Sequence, residues 1–345
     1  MAELDVALVT LGDPETQTGG YLYHRRLRDA APRYGAGVRF VSFPHRPFPL
    51  PALYGRSVIA RAAGADVIVI DSIVAAFAGP WLKRAAQPII GMVHQGPGGI
   101  GHGVLRTLLQ TWLDRRAYSR MNALFLASES LVLEMKGVHH RVLVIPPGCD
   151  VATEADPEIM DLRRGRDVAL LCVGNWLPHK GIDELLDAFA SLPETAATLH
   201  LVGDQNVDPR YRAAVWDRVR EIGKRVEIHG LVPKERVAAF YRDADVFVMP
   251  SRRETYGTVY GEAMAAGLPV VGWRAGNLPW LAEHGREGLI VEPGEIEALA
   301  QALLSLSRDK ALRASMGRAA SRRAAGLPTW EETADRFFGE LQKLL

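Results

Sequence analysis

Short apolar runs alternate with longer segments of helical period along this chain, and that alternation limits its fold more than any other feature. "DVALVT" (5–10), "GVRFVSF" (37–43), "DVIVID" (66–71), "PIIGMVH" (88–94), "ALFLAS" (123–128) and "RVLVIP" (141–146) are each bounded by Gly, Pro or a charge. They read as buried strands. Amphipathic stretches such as 20–31 and 103–120 lie between them. Strand followed by helix, repeated, implies a parallel sheet with helices on both faces.

The pattern breaks at 146–167, where three prolines, two glycines and dense charge read as a linker. A second series follows: "VALLCVG" (168–174), "TLHLVG" (198–203), "RVEIHG" (225–230), "VFVMPS" (246–251), "LPVVGW" (268–273) and "GLIVEP" (288–293). The tail, 328–345, reads as one amphipathic helix, with "TWEE" as a capping box. The expected fold class is α/β, with two Rossmann-like parallel-sheet domains facing a central cleft. Residues 1–160 form the first domain, 161–327 the second, and 328–345 the final helix. Ligands bind off the carboxyl ends of strands in such sheets.

Composition narrows the function. A formal net charge of +1 over 345 residues argues against nucleic acid as a partner. Two cysteines, Cys149 and Cys172, make no disulfide framework, and no CxxC or HExxH spacing suggests a metal. The start carries acids where a signal peptide carries Lys or Arg, and no apolar run approaches the ~20 residues of a membrane span. A cytoplasmic protein is the expectation.

Two stretches could carry chemistry. In "VGNWLPHKGIDELLDAFASL" (173–192) a strand ends, a turn follows and a helix starts near Gly181. Lys180 then sits beside unpaired N–H groups, a site suited to a phosphate; a solvated loop lysine is the plain alternative. In "ETYGTVYGEAMAAG" (254–267) Gly257 opens a helix and lets a ligand approach its first-turn N–H groups. Glu254 can face a polyol and Glu262 a ribose diol, since carboxylates are strong acceptors for hydroxyls. Two surface glutamates would also fit.

These stretches recur in order with "LHLVGD", "VEIHGLVPKERVAAFYRDADVFVMPS", "EAMAAGLPVV" and "GLIVEPGEIEALAQAL", and more weakly with "TGGYLYHRRL", "VHQ" and "VLVIPPGCD". The set resembles the retaining GT-B glycosyltransferases of family four, the glycosyl transferases group 1. The resemblance implies a hexosyltransferase that moves a sugar from a nucleotide-diphosphate donor to an acceptor hydroxyl with retention, without a metal or other cofactor. UDP is favoured as the base. Lys180 would hold the diphosphate, Glu254 the sugar hydroxyls and Glu262 the ribose. The backbone at Tyr256, Gly257 and Thr258 would touch sugar and phosphate, Gly19 and Gly20 would approach phosphate and acceptor, and His94 would reach the transferred sugar. The final helix would cross back to the first domain. The acceptor is open between a glycan, a lipid and a small metabolite.

The sequence departs from the family pattern in two places. Asn175 stands where the family has an arginine beside the lysine on the diphosphate, with Arg252, Arg253, Arg274 or His179 as substitutes. "GNLPW" (276–280) places Trp280 where an acid is usual. A catalytically weak homologue acting as a binding or partner subunit and a GT-B sugar epimerase are the alternatives. "GPGGIG" (96–101) matches the dinucleotide fingerprint, but Asp114, the acid at the right distance, falls inside a helix. The stretch reads instead as a flexible acceptor-side loop. In 103–120 Val104, Leu105, Leu108, Leu109 and Trp112 share one face, expected in the core; peripheral contact at the inner membrane face is the other use of such a helix.

Overall fold

The computed structural model describes residues 4–16, 19–84, 86–149 and 159–345. The chain divides into two compact units, Met1–Gly148 with Pro328–Leu345, and Cys149–Leu327.

The first unit is built on β1 (Leu4–Leu11), β2 (Ala36–Phe43), β3 (Val67–Asp71), β4 (Ile89–Val93), β5 (Ala123–Leu126) and β6 (Val142–Val144). They pair in the order β2-β1-β3-β4-β5-β6, all parallel. β3 and β4 are buried along their whole length, as continuous β-branched runs require in a sheet covered on both faces. The order reverses between β1 and β3, the switch point of this sheet.

The helix Trp330–Gln342 completes this unit. Phe337, Phe338 and Leu341 are fully buried in the core with Val69, Ile90 and Phe125 of the sheet. Its start carries the expected capping box. The Glu332 N–H donates to the Thr329 hydroxyl at 3.2 Å, and the Thr329 N–H to the Glu332 carboxylate at 2.8 Å. Thr333 fixes the helix further by donating to the Pro146 carbonyl at 2.9 Å.

The second unit holds β7 (Val168–Val173), β8 (Ala197–Val202), β9 (Val226–Gly230), β10 (Val246–Val248), β11 (Val270–Trp273) and β12 (Gly288–Val291). Their order is β12-β11-β10-β7-β8-β9, again parallel, and the switch point lies between β7 and β10.

Two expectations need correction. The division falls at Gly148/Cys149, not at 160. Met160 and Leu162 pack on the second core, and the Met160 N–H donates to Asp243 at 2.9 Å. Part of the expected linker, 150–158, lies outside the described residues. The helix Val104–Tyr118 is turned the other way from its apolar pattern. Gln110 and Asp114 are buried, whereas Leu105 is 85% exposed and Val104, Leu108, Leu109 and Trp112 are also exposed.

Candidate functional site

The chain leaves β7 through Gly174, close to the end of β8. A Cβ on Gly203 would lie 2.2 Å from the Gly174 carbonyl oxygen. A single 3-10 turn, Pro178–Lys180, follows. Gly181 then takes a left-handed φ of 68° and opens the helix Ile182–Ala190. Only glycine fits there, because a Cβ would also stand 2.3 Å from the Pro250 carbonyl oxygen. The loop after β10 is stapled to this turn: the Ser251 hydroxyl and the Arg252 N–H both donate to the His179 carbonyl, at 3.1 and 2.8 Å.

That staple brings Lys180 and Glu254 together across the switch point. The Lys180 ammonium donates to the Glu254 carboxylate, and both side chains are largely buried. Asn277 holds the backbone of the glutamate's loop. Its N–H donates to the Glu254 carbonyl at 2.8 Å and its side-chain amide to the Tyr256 carbonyl at 3.0 Å. The "GNLPW" departure is thus a clamp on the loop carrying Glu254.

Gly257, at φ 82°, is the N-cap of the helix Thr258–Ala265 and supplies no side chain to its first-turn N–H groups. A Cβ there would stand 2.7 Å from the Tyr260 ring. An uncapped helix start offers N–H groups and a positive dipole end to an anion. Glu262 lies one turn into the helix and accepts from the Tyr241 hydroxyl at 3.0 Å.

Of the cations that the sequence suggested in place of the one missing at Asn175, Arg252 and Arg274 each hold a carboxylate and His179 is neutral. Asn175 accepts the Asp204 N–H at 3.1 Å, so its side chain holds the loop after β8. Arg252 is paired with Glu184, and Arg274 with Glu292 at 2.7 Å. Burial, then the Lys180 charge, pushes His179 down to about 4, so it is neutral at pH 7.

The first unit gathers a second constellation at its own switch point. Gly19 and Gly20 begin the helix Gly19–Ala30, and a Cβ on Gly20 would lie 3.9 Å from the His94 ring. His94 follows β4, and its Nε2 is 2.9 Å from His24 Nε2. His24 Nε2 lies 3.5 Å from Asp71, which accepts the Thr10 hydroxyl at 2.9 Å. Sequence reasoning named His94 but missed His24, Asp71 and Thr10. The usable signal was an acid closing the otherwise apolar run "DVIVID" at the carboxyl end of a strand.

The "GPGGIG" loop is tied down rather than loose. Asp114 is buried and accepts the Gly98 N–H at 2.9 Å, and Thr111 donates to the Pro97 carbonyl at 3.3 Å. Asp114 therefore serves the loop from below.

Among the described residues two clusters could offer ligand atoms to a metal, His24–Asp71–His94 and His200–Glu227–His229. In each, two imidazole nitrogens face one another, at 2.9 and 3.0 Å, with ring centroids 4.9 and 5.3 Å apart. That is a near head-on N–H···N hydrogen bond. Tetrahedral Zn–N bonds of ~2.0–2.1 Å would hold the nitrogens roughly 3.3 Å apart with lone pairs converging on the ion. Both clusters read as hydrogen-bonded pairs.

Two six-stranded parallel α/β units are the architecture of the GT-B fold. Sucrose-phosphate synthase from Thermosynechococcus elongatus superposes with a TM-score of 0.84 over 99% of each chain at 22% identity. Anabaena HepE, solved with UDP and glucose, gives 0.82 over 99% of this chain and 100% of that one at 21% identity. Residues 167–309 match the family of glycosyl transferases group 1. That match lies wholly within the second unit. Among curated relatives, mannosylfructose-phosphate synthase of Agrobacterium fabrum is 31% identical over 222 residues, 60% of this chain and 48% of its own. D-inositol 3-phosphate glycosyltransferase of Pseudarthrobacter chlorophenolicus is 34% identical over 205 residues, 57% and 49%. The chain spans about half the length of the curated relatives it matches.

Proposed function

We propose that this chain is a retaining, nucleotide-sugar-dependent hexosyltransferase with a UDP-sugar donor. The observation that carries the reading is the meeting of Lys180 and Glu254 across the second switch point, beside the uncapped helix at Gly257. A diphosphate leaving group gains negative charge in the transition state. A fixed ammonium and helix N–H groups stabilise that charge without reorganising. Glu254 then serves the sugar hydroxyls and Glu262 the ribose, while Gly19 and Gly20 serve the phosphate and acceptor and His94 the transferred sugar. Solved HepE complexes with UDP and with UDP-glucose support UDP as the base. The names of the relatives above support a small phosphorylated acceptor. The sequence retains Lys180, Glu254 and Glu262, which supports an active enzyme over a degenerate subunit.

The test is thermal melting with UDP, GDP, dTDP, ADP and NAD in turn, without metal. A ligand at about 100 times its Kd stabilises by roughly 2.7 kcal/mol. A shift with UDP alone is the expected result. A shift with NAD alone, or with none of the five, would end the reading.

The outward-turned helix Val104–Tyr118 favours a second element, peripheral contact with an anionic membrane surface. No helix among the described residues is long and apolar enough to cross a membrane. Residues 31–128 contain 11 Lys and Arg against three acids, Asp66, Asp71 and Asp114, of which the last two are buried. Exposed Arg115 and Arg116 flank the apolar face, and a cavity of about 420 Å³ beside Trp112 is lined by Lys83, Arg116 and Arg120. Apolar area and cations on one face suit an anionic lipid surface. Co-sedimentation with phosphatidylglycerol vesicles, absent with phosphatidylcholine and lost in Leu105→Ser/Leu108→Ser, would support this. Equal pelleting of the double variant would end it.

A further inference from the structure

His24 has no part in the reading above, yet it is fully buried between the Asp71 carboxylate and the His94 ring. Its surroundings fix where its proton lies. Asp71 closes β3. Its Oδ2 accepts the Thr10 hydroxyl at 2.9 Å, and its Oδ1 accepts the Ser72 hydroxyl at 3.3 Å and the Ile73 N–H at 3.2 Å. The Ile73 N–H can only donate and both hydroxyls are placed to donate, which holds both oxygens as acceptors against the burial that raises this carboxyl. Burial keeps both rings neutral, pushing His24 down to about 3 and His94 to about 4.

Two neutral imidazoles with Nε2 atoms 2.9 Å apart hold one proton between them. There are two ways to place it. If His94 Nε2 carries the proton, His24 must be protonated on Nδ1. That atom is buried without a hydrogen-bond partner, and a buried N–H without an acceptor is costly. The bare His24 Nε2 lone pair would also face the Asp71 carboxylate oxygen at 3.5 Å. If His24 Nε2 carries the proton instead, the N–H points at His94 Nε2 and is drawn by the carboxylate beside it. His24 Nδ1 is then a bare lone pair, the cheaper orphan. The second arrangement wins on both counts. His94 Nε2 is thereby an acceptor, and the ring must carry its proton on Nδ1. Among the described residues His94 Nδ1 has no hydrogen-bond partner, and the residue is partly exposed, with its Cδ2 and Cγ atoms the ones nearest Gly20.

The geometry points to Asp71 and His24 as positioning residues that hold His94 in its Nδ1–H tautomer, so that the ring presents a hydrogen-bond donor to an oxygen of its substrate. Thr10 and Ser72 anchor the carboxylate, and Ser72 also accepts the His94 N–H at 3.1 Å, which fixes the backbone the ring hangs from. The substrate oxygen is a hydroxyl of the transferred sugar; this last clause rests on the transferase reading above. A donor held in place before the sugar arrives costs nothing to orient during reaction.

The test is nitrogen NMR of the full chain with ¹⁵N-labelled histidine, His94 and His24 being assigned through His94→Gln and His24→Phe. The wild-type spectrum should show His94 protonated at Nδ1 and His24 at Nε2. In His24→Phe, His94 should lose its single tautomer and become a mixture. Hydrolysis of UDP-glucose should then fall in kcat by about tenfold or more, the scale at which removal of a histidine's supporting partner is felt, with the donor KM little changed. His24→Gln, whose amide N–H can donate to the same nitrogen, should recover the Nδ1–H state and much of kcat. A wild-type His94 protonated at Nε2 overturns the proposal, and this needs no variant to fold. An Nδ1–H state that persists unchanged in His24→Phe overturns it equally. The expected tautomers in a protein that neither binds nor hydrolyses any nucleotide sugar would leave the positioning role standing and remove the transferase reading.

Discussion

The Lys180 ammonium rests on the Glu254 carboxylate, each supplied by a loop that leaves one of the two strands flanking the second switch point. The pair neutralises a lysine that would otherwise be an isolated, largely buried charge. A diphosphate arriving at Lys180 must share that ammonium with Glu254. Glu254→Gln therefore separates the two roles. Binding of free UDP should hold or tighten, because a competing carboxylate is gone. Turnover of UDP-glucose should fall, because the sugar hydroxyls lose a charged acceptor. Lys180→Ala should instead weaken UDP by roughly ten- to a hundredfold, the equivalent of a charge-assisted hydrogen bond of about 1.5–3 kcal/mol. Calorimetric titration of UDP into both variants decides; equal weakening in the two would show that Glu254 is only structural support.

Asn175→Arg tests what replaces the arginine usual in the family. The Asn175 side chain accepts the Asp204 N–H, so the arginine would remove the acceptor that holds the loop after β8. The variant should lose about 1 kcal/mol of stability and gain no UDP affinity. A tighter UDP complex with unchanged melting temperature would show that the site is an ordinary one lacking only its second cation.

The sheets were legible in the sequence and the details of the sites less so. All twelve apolar runs became strands, because a strand buried on both faces needs a continuous apolar run and turn residues at its ends. The capping box at Thr329 and the helix start at Gly257 were equally local, and both stand. Helix orientation was not local. The period of 104–118 marks an apolar face without saying which way it turns, and here buried Asp114 and Gln110 take the inner side. The pairing of Lys180 with Glu254 needs residues 74 apart in sequence, and His24 meets His94 across 70. Such meetings depend on strand order, which no run of residues states.

Tyr241→Phe addresses the glutamate deeper in the helix. The tyrosine hydroxyl donates to Glu262 at 3.0 Å and so orients one of its oxygens. Without it the carboxylate loses one of the donors that set its direction. UDP should bind a few-fold more weakly while UMP and UDP lose affinity in parallel, since the ribose is common to both. The loss in stability should be about 1 kcal/mol, the net value of one hydrogen bond. A variant that discriminates UDP from UMP would place Glu262 on the phosphates instead.

Asp114 gives the chain a pH dependence of unusual sign. Burial raises its carboxyl from the ordinary value to about 6, and the Gly98 N–H only partly offsets this. An unfolded aspartate titrates near about 3.9. Between these values the folded state keeps a proton that the unfolded state has released. Stability from this group is therefore full below pH ~4 and is lost as pH rises to about 6, by up to roughly 3 kcal/mol. His24 and His94 act in the opposite direction. Burial lowers them to about 3 and about 4, so the unfolded chain gains protons first as pH falls below about 6.5. In the wild type the two slopes partly cancel between pH 4 and 6. Asp114→Asn removes the falling one and can still accept the Gly98 N–H through its amide oxygen. Its amide nitrogen would take the place of Asp114 Oδ1, which has no partner, and that limits the gain at neutral pH. The difference in slope is thus the quantity to read. Urea unfolding at pH 4, 5, 6 and 7 should show the variant gaining stability with pH more steeply than the wild type. Parallel curves would mean that Asp114 titrates alike in the folded and unfolded chain.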